Sequence, residues 1–159
     1  MKILFICSSN VCRSPYCEYV FKKMVSEDAN LQKHVTSIKS AAVFNRSKVI
    51  HPKAKLALMR EGFSEEQALM HKPKFKKGDE DVFDEADLII GMERFNKMFL
   101  PRKYWNKYKY LSEFKYDKYV KIPDPFLMKD MDDYYRVMDT IKDYLIFLKQ
   151  FILLNKDNV

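Results

Sequence analysis

Two reactive side chains share one short polar segment near the start of the chain. The segment is Cys7-Ser8-Ser9-Asn10-Val11-Cys12-Arg13-Ser14-Pro15. A thiolate is a strong nucleophile, and a planar guanidinium forks onto two oxygens of an oxyanion. Between them the backbone N–H groups of Ser8, Ser9, Asn10, Val11, Cys12 and Arg13 can turn inward as a nest for inorganic phosphate or a similar oxyanion. Such a bowl suits an anionic sulfur lying beneath a bound phosphate and aimed at phosphorus. Alone, Cys7 reads as a small hydrophobe at a strand end. The whole arrangement, set between a strand and a helix, points to phosphoryl transfer.

Several elements must position that loop. Lys2-Ile3-Leu4-Phe5-Ile6 reads as a buried strand that delivers Cys7. Ser14 and Pro15 read as a helix start, and Tyr16, Val20, Phe21, Met24 and Val25 continue it at helical spacing to about Asp28–Asn30. Asn10 tolerates the left-handed backbone that a tight loop needs. A second strand is expected over 35–43 and a helix from His51-Pro52 to Arg60, ended by Gly62. A capped short helix follows from Ser64, then a polar break over 71–80 and a helical turn over 81–86. A third strand is expected over 87–92, a helix over 93–99 stopped by Pro101, and a fourth strand over 108–111. Lys121-Ile122-Pro123-Asp124-Pro125 must be loop, because proline removes donors and restricts its predecessor. A last helix from near Asp130 carries Tyr134, Val137, Met138, Ile141, Tyr144, Leu145, Leu148 and Ile152 on one stripe. Strands alternating with helices imply an α/β fold, a parallel sheet covered on both faces, and a single domain over 1–159. Ligands of such sheets sit at the carboxyl ends of the strands, where the Cys7 loop lies.

The segment from Cys7 to Pro15, continued by Tyr16-Cys17-Glu18 and joined far downstream by Asp124-Pro125, resembles the low-molecular-weight protein tyrosine phosphatases. The resemblance implies a three-layer sandwich with a four-stranded parallel sheet of order 2-1-3-4. It also implies hydrolysis of phosphotyrosine monoesters through a phosphocysteine, with Cys7 as nucleophile, Arg13 as phosphate clamp and Asp124 as general acid and later base. Read without the family, Asp124 is equally a turn or cap residue. The resemblance further implies an Asn10–Ser40 hydrogen bond, a Ser14 hydroxyl serving Cys7, and a Cys12 that can form a disulfide with the nucleophile. Ser14 also reads as a plain helix cap, and Cys17 as packing. Phe44 and Phe126 match the aromatic substrate walls. Leu127 stands where a second aromatic is common, and His51-Pro52 departs from an acidic residue before proline. Val11 matches tyrosine-directed relatives, whereas phosphoarginine-directed ones carry threonine there. The alternatives are a protein arginine phosphatase, an arsenate reductase and a basic nucleic-acid-binding protein. The reductase needs downstream cysteines, and none follows Cys17.

The 159 residues are 47% hydrophobic with 3 glycines, which argues against disordered and fibrous classes. Clustered cysteines at 7, 12 and 17 suit reactive thiols in a reducing compartment rather than a disulfide framework. No leader or membrane span is visible, so a soluble, cytoplasmic monomer is expected. His34, His51 and His71 are scattered, so neither metal nor cofactor is expected. The net charge of +7 favours anionic partners without choosing among them; the resemblance implies phosphotyrosine-containing proteins or peptides. Tyr104, Trp105, Tyr108, Tyr110, Tyr116 and Tyr119 lie among lysines and could stack bases. They read equally as a half-buried strand with a basic rim, and nucleic acid is not the expected partner.

Overall fold

The computed structural model describes residues 1–155. Four strands form one parallel sheet in the order β2-β1-β3-β4: β1 (Lys2–Cys7), β2 (Ser37–Ala42), β3 (Leu88–Gly91) and β4 (Tyr108–Tyr110). β1 is central because its apolar run can be buried on both sides. Phe5 is paired with Ser40 on one flank and Ile90 on the other. Side chains alternate across a strand, so Ile3, Phe5 and Cys7 enter one apolar layer and Leu4 and Ile6 the other.

The first layer is built by α1 (Arg13–Ser26), α3 (Pro52–Arg60) and the long α8 (Met131–Leu154). Phe21, Leu58, Met138, Ile141 and Leu145 are fully buried there. The second layer holds α5 (Glu80–Asp84), with Val82 and Phe83 against Ile89. Helices therefore cover both faces, giving a three-layer α/β sandwich with the sheet order that the sequence resemblance implies. Among the described residues, no helix is long and apolar enough to cross a membrane.

Three details depart from the sequence expectation. The first helix stops at Ser26, and Asp28 caps a separate short helix, α2 (Ala29–Gln32), accepting from the backbone of Asn30 and Leu31 at 3.0 and 3.1 Å. The cap wins because it turns the chain so that Leu31 enters the core. After α4 (Glu65–Leu69) and α6 (Arg94–Phe99), a 3-10 turn over Arg102–Lys107 was not expected, since such turns leave no 3.6-residue period. Its Lys107 ammonium donates to the carbonyls of Phe83, Asp84 and Ala86 at the end of α5. A short helix, α7 (Glu113–Tyr116), follows β4. Tyr104 and Tyr108 are buried, so much of the basic, aromatic stretch is committed to packing. At Gly91 the Tyr108 ring comes so close that an added Cβ would lie 2.1 Å from its hydroxyl, which requires glycine at the end of β3.

Candidate active site

The loop between β1 and α1 opens at the carboxyl edge of the sheet, into a cleft of about 260 Å³ lined by Cys7, Ser8, Arg13, Phe44, Asp124 and Phe126, among others. Phe95 also lines it. The loop is shaped from within. Asn10 has φ of 56°, the left-handed conformation anticipated for it, and is fully buried. Its amide donates to Ser14 Oγ at 2.9 Å and to Ser40 Oγ at 2.8 Å, while its carbonyl Oδ1 accepts from the Lys74 backbone at 2.9 Å. Ser40 in turn donates to Glu18, which pairs with Lys22 one turn along α1. The Asn10 main-chain oxygen lies 2.9 Å from His71 Nε2, so this nitrogen carries the proton.

Cys7 Sγ lies 2.9 Å from Ser14 Oγ. The Ser14 hydroxyl is thus turned to the thiol and to Asn10, and Cys12, the N-cap residue of α1, makes no side-chain cap. Burial pushes the Cys12 thiol up to about 12, with nearby Cys7 and Asp124 adding to the effect. Burial likewise holds Cys17 well above the usual thiol range. Both are kept protonated. Tyr134 of α8 is fully buried, and its hydroxyl neighbours the Cys12 thiol without reaching hydrogen-bond geometry.

Arg13 is almost wholly buried at 1% exposure. Its guanidinium donates to the Ile122 carbonyl at 2.9 Å and to Glu93 Oε1 at 2.7 Å, and meets Asp124 Oδ2 at 3.2 Å. Burial opposes its charge, but Cys7, Asp124 and Glu93 outweigh that cost and hold its pKa above the ordinary value. Asp124, half exposed, also accepts from the Phe126 backbone at 3.1 Å, which fixes the turn that carries it.

Aromatic rings form the mouth. Phe44 packs against Phe95 and Phe99 at centroid distances of 5.0 and 4.7 Å. On the opposite side Phe126 lies 5.2 Å from the His51 ring, which is itself stacked on Tyr134 at 6.3 Å. His51 also caps α3 and hydrogen-bonds from its backbone to the Val11 carbonyl at 3.1 Å. The sequence departure at His51 therefore supports the Phe126 wall.

The structure thus brings together Cys7, Ser8, Ser9, Val11, Cys12, Arg13, Phe44, Asp124 and Phe126 around one cleft, with Asn10, Ser14 and Ser40 directly behind it. Leu127 points away, at 85% exposure. Sequence reasoning missed Glu93, Phe95, His71 and Tyr134. A signal for Glu93 was present, since a carboxylate directly after a buried parallel strand falls at the ligand edge of the sheet. The other three lie on elements whose direction only the assembled sheet defines. Among the described residues, no group of three or more His, Cys, Asp or Glu side chains could hold a metal ion.

Comparison with known proteins agrees with this geometry. The family profile described as "Low molecular weight phosphotyrosine protein phosphatase" matches residues 2–158. A curated protein-arginine-phosphatase of Bacillus subtilis (strain 168) is 29% identical over 149 residues, spanning 91% of this chain and 92% of the relative. A low molecular weight phosphotyrosine protein phosphatase of Sus scrofa is 26% identical over 136 residues, 82% of either chain. Among solved structures, YwlE arginine phosphatase, as a C7S mutant with phosphorylated active site serine, superposes with a TM-score of 0.81 at 26% identity, covering 99% of this chain and 98% of that one.

Proposed function

The chain belongs to the low-molecular-weight phosphotyrosine protein phosphatase family, a cysteine-dependent phosphatase fold, and on that premise we propose that it removes the phosphoryl group from phosphotyrosine in proteins. The sulfur of Cys7 attacks phosphorus, the bond to the leaving oxygen breaks, and Asp124 gives that oxygen a proton. Water then attacks the phosphocysteine, Asp124 takes its proton, and phosphate and the Cys7 thiolate are released. The inward amides from Ser8 to Arg13 and the Arg13 fork hold the three non-bridging oxygens through both steps. Ser14, already 2.9 Å from the sulfur, stabilises the departing thiolate in the second step. An incoming phosphate competes with Asp124 for Arg13, so substrate itself frees the carboxyl for proton transfer. In the solved relative with a serine at its active site, that serine carries the phosphoryl group, which supports the covalent step. We read residues 1–159 as one domain, of which 156–159 lie outside the described residues.

The observation that carries the substrate reading is the cleft lining: the Phe44, Phe95 and Phe126 rings, with Val11 at the position where phosphoarginine-directed relatives carry threonine. A phenyl ring gains from such walls and asks for no polar partner. A second reading, phosphoarginine, draws its support from the relatives. The arginine phosphatase is the longer and more identical of the two curated matches, and the comparisons favour this reading over phosphotyrosine. A guanidinium also stacks on aromatic faces, though its N–H groups need acceptors.

Matched peptides carrying phosphotyrosine or phosphoarginine, with Cys7→Ser as the blank, separate the two. Phosphotyrosine should be preferred by about tenfold or more in kcat/KM; the reverse preference replaces the first reading by the second. Asp124→Ala should slow phenolic leaving groups of high pKa by about a hundredfold while sparing good ones; equal slowing of both removes Asp124 from the proton-transfer role. The reading also assigns Cys12 to capture oxidised Cys7. Peroxide converts the Cys7 thiolate to a sulfenic acid, and the Cys12 thiol condenses with it to a disulfide and water. Peptide mapping of peroxide-treated protein should recover that link, and sulfinic Cys7 without it would dismiss the assignment.

A further inference from the structure

Behind the nucleophile loop, on the side away from the cleft, a groove of about 650 Å³ runs between α1, α4 and the segment after α4. Its walls are aromatic. Tyr19 meets Phe63 edge-on at 5.3 Å and His71 at 6.3 Å. Its rim is basic, with Lys22, Lys23, Lys72 and Lys74 facing a single carboxylate, Glu18. Glu18 is already paired with Lys22. Lys23 reaches the Glu61 carbonyl and also lies 5.9 Å from the Phe63 ring. The side chains of Lys72 and Lys74 have no ion-pair partner among the described residues.

The floor is built rather than incidental. Glu18 and His71 are each 7% exposed and both line the groove. His71 spends one ring nitrogen on the Asn10 carbonyl. No hydrogen bond to its Nδ1 is made among the described residues. Glu18 holds Ser40, and Ser40 and His71 both hold Asn10. Anything that settles on this floor therefore touches His71 and Glu18, which hold Asn10 directly and through Ser40.

We propose that this groove is a second ligand site, taking a small planar aromatic anion whose ring lies against Tyr19 and Phe63 and whose acidic group meets Lys72 and Lys74. The volume is within the range of small-molecule sites, the rings supply an edge-and-face contact surface, and unpaired lysines beside one already neutralised carboxylate select a negative charge. Occupancy alters the His71–Asn10 contact, hence the set of the Cys7 loop and the turnover number. The binding site stands independently of the catalytic assignment above; only its effect on turnover rests on it.

The test uses the full chain and 2-naphthoate as probe, titrated by NMR while inorganic phosphate saturates the catalytic cleft. Saturable shifts of the His71 ring signals are expected, with binding weakened about tenfold by Phe63→Ala and roughly fivefold by Lys72→Glu. Succinate, charged but without a ring, should bind at least about tenfold more weakly. Shifts that vanish when phosphate is added would place the probe in the catalytic cleft and overturn the site. So would equal binding of succinate, or unchanged affinity in both variants. In a phosphatase assay at saturating substrate the probe should change kcat, and binding that leaves kcat unmoved overturns the coupling to the loop. If the protein binds the probe but has no phosphatase activity on either peptide, the groove survives and the catalytic reading fails.

Discussion

Arg13 reaches the cleft already held from three sides, by Ile122, Glu93 and Asp124. The cost of immobilising a long cation is thus met during folding rather than at substrate binding, which is what a preorganised oxyanion site requires. Glu93 is the permanent anchor, at 12% side-chain exposure, and Asp124 at 46% is the partner that can leave. Glu93→Ala should therefore lower stability by about 3 kcal/mol, the scale of a buried pair losing one member, and cut kcat/KM by about tenfold or more. Chemical denaturation and steady-state kinetics on the same preparation check both, and Glu93→Gln, which keeps an acceptor, should recover part of each. Cys7 and Arg13 stood out in the sequence because a thiol and a guanidinium share one short loop, whereas Asp124 was singled out only through the family resemblance; the structure brings all three to one cleft. Glu93 was not legible, because its relation to Arg13 spans 80 positions of sequence and exists only once β3 lies beside β1.

The loop and its flanking helices are bound by few but specific devices. Asn10 combines a left-handed backbone with hydrogen bonds from both ends of its amide. Asn10→Gly relieves the backbone but leaves the Lys74 amide without its partner and takes one hydrogen bond each from Ser14 and Ser40, which keep Cys7 and Glu18. It should cost about 2 kcal/mol in stability and lower kcat, while Asn10→Ala should cost more by about 1 kcal/mol because a Cβ resists positive φ. Thermal melts ranking the two variants in the other order would discard this account. Gly62 makes a contrasting case. It ends α3 at φ of +94°, and a Cβ there would meet only the Lys23 ammonium, at 3.5 Å. Gly62→Ala should lose about 1 kcal/mol through backbone strain alone, with kcat unchanged. The strands and the long α8 were legible from periodicity. The split at Asp28 and the turn over 102–107 were not, since caps and 3-10 turns act through single hydrogen bonds rather than a repeating pattern.

The molecule as a whole carries two histidines whose titration links the site to stability. Burial lowers the pKa of His71 below the usual value of 6.5, in surroundings set by Asn10, Glu18, Lys74, Lys22 and the Tyr19 ring. Burial likewise lowers His51, with Lys53 reinforcing the effect and Asp124 opposing it. A depressed histidine favours the neutral form in the folded state, so the unfolded chain takes up protons first as pH falls. The stability these groups contribute is present above the ordinary histidine pKa and is lost as pH drops through it toward their folded values. Denaturation midpoints should therefore decline between about pH 7 and pH 5. His71→Gln, which keeps a donor for the Asn10 carbonyl but cannot titrate, should flatten that decline; an unchanged slope in the variant would exclude His71 as a source.

The sequence by itself determined the fold class, the nucleophile loop and the order of its reactive groups, because those depend on local patterns: an apolar run, a thiol, a tight polar turn, a guanidinium at a helix start. Tertiary structure decided which groups discipline them. Glu93, His71, Phe95 and Tyr134 come from segments far from the Cys7 loop in sequence; Glu93 and Phe95 reach it because parallel strands end along one edge, and His71 and Tyr134 because the segment after α4 and the helix α8 pack beside that loop. Short-range chemistry can be encoded in neighbouring residues, whereas a buried charge or an orienting hydrogen bond acquires its meaning only from the groups that exclude water around it.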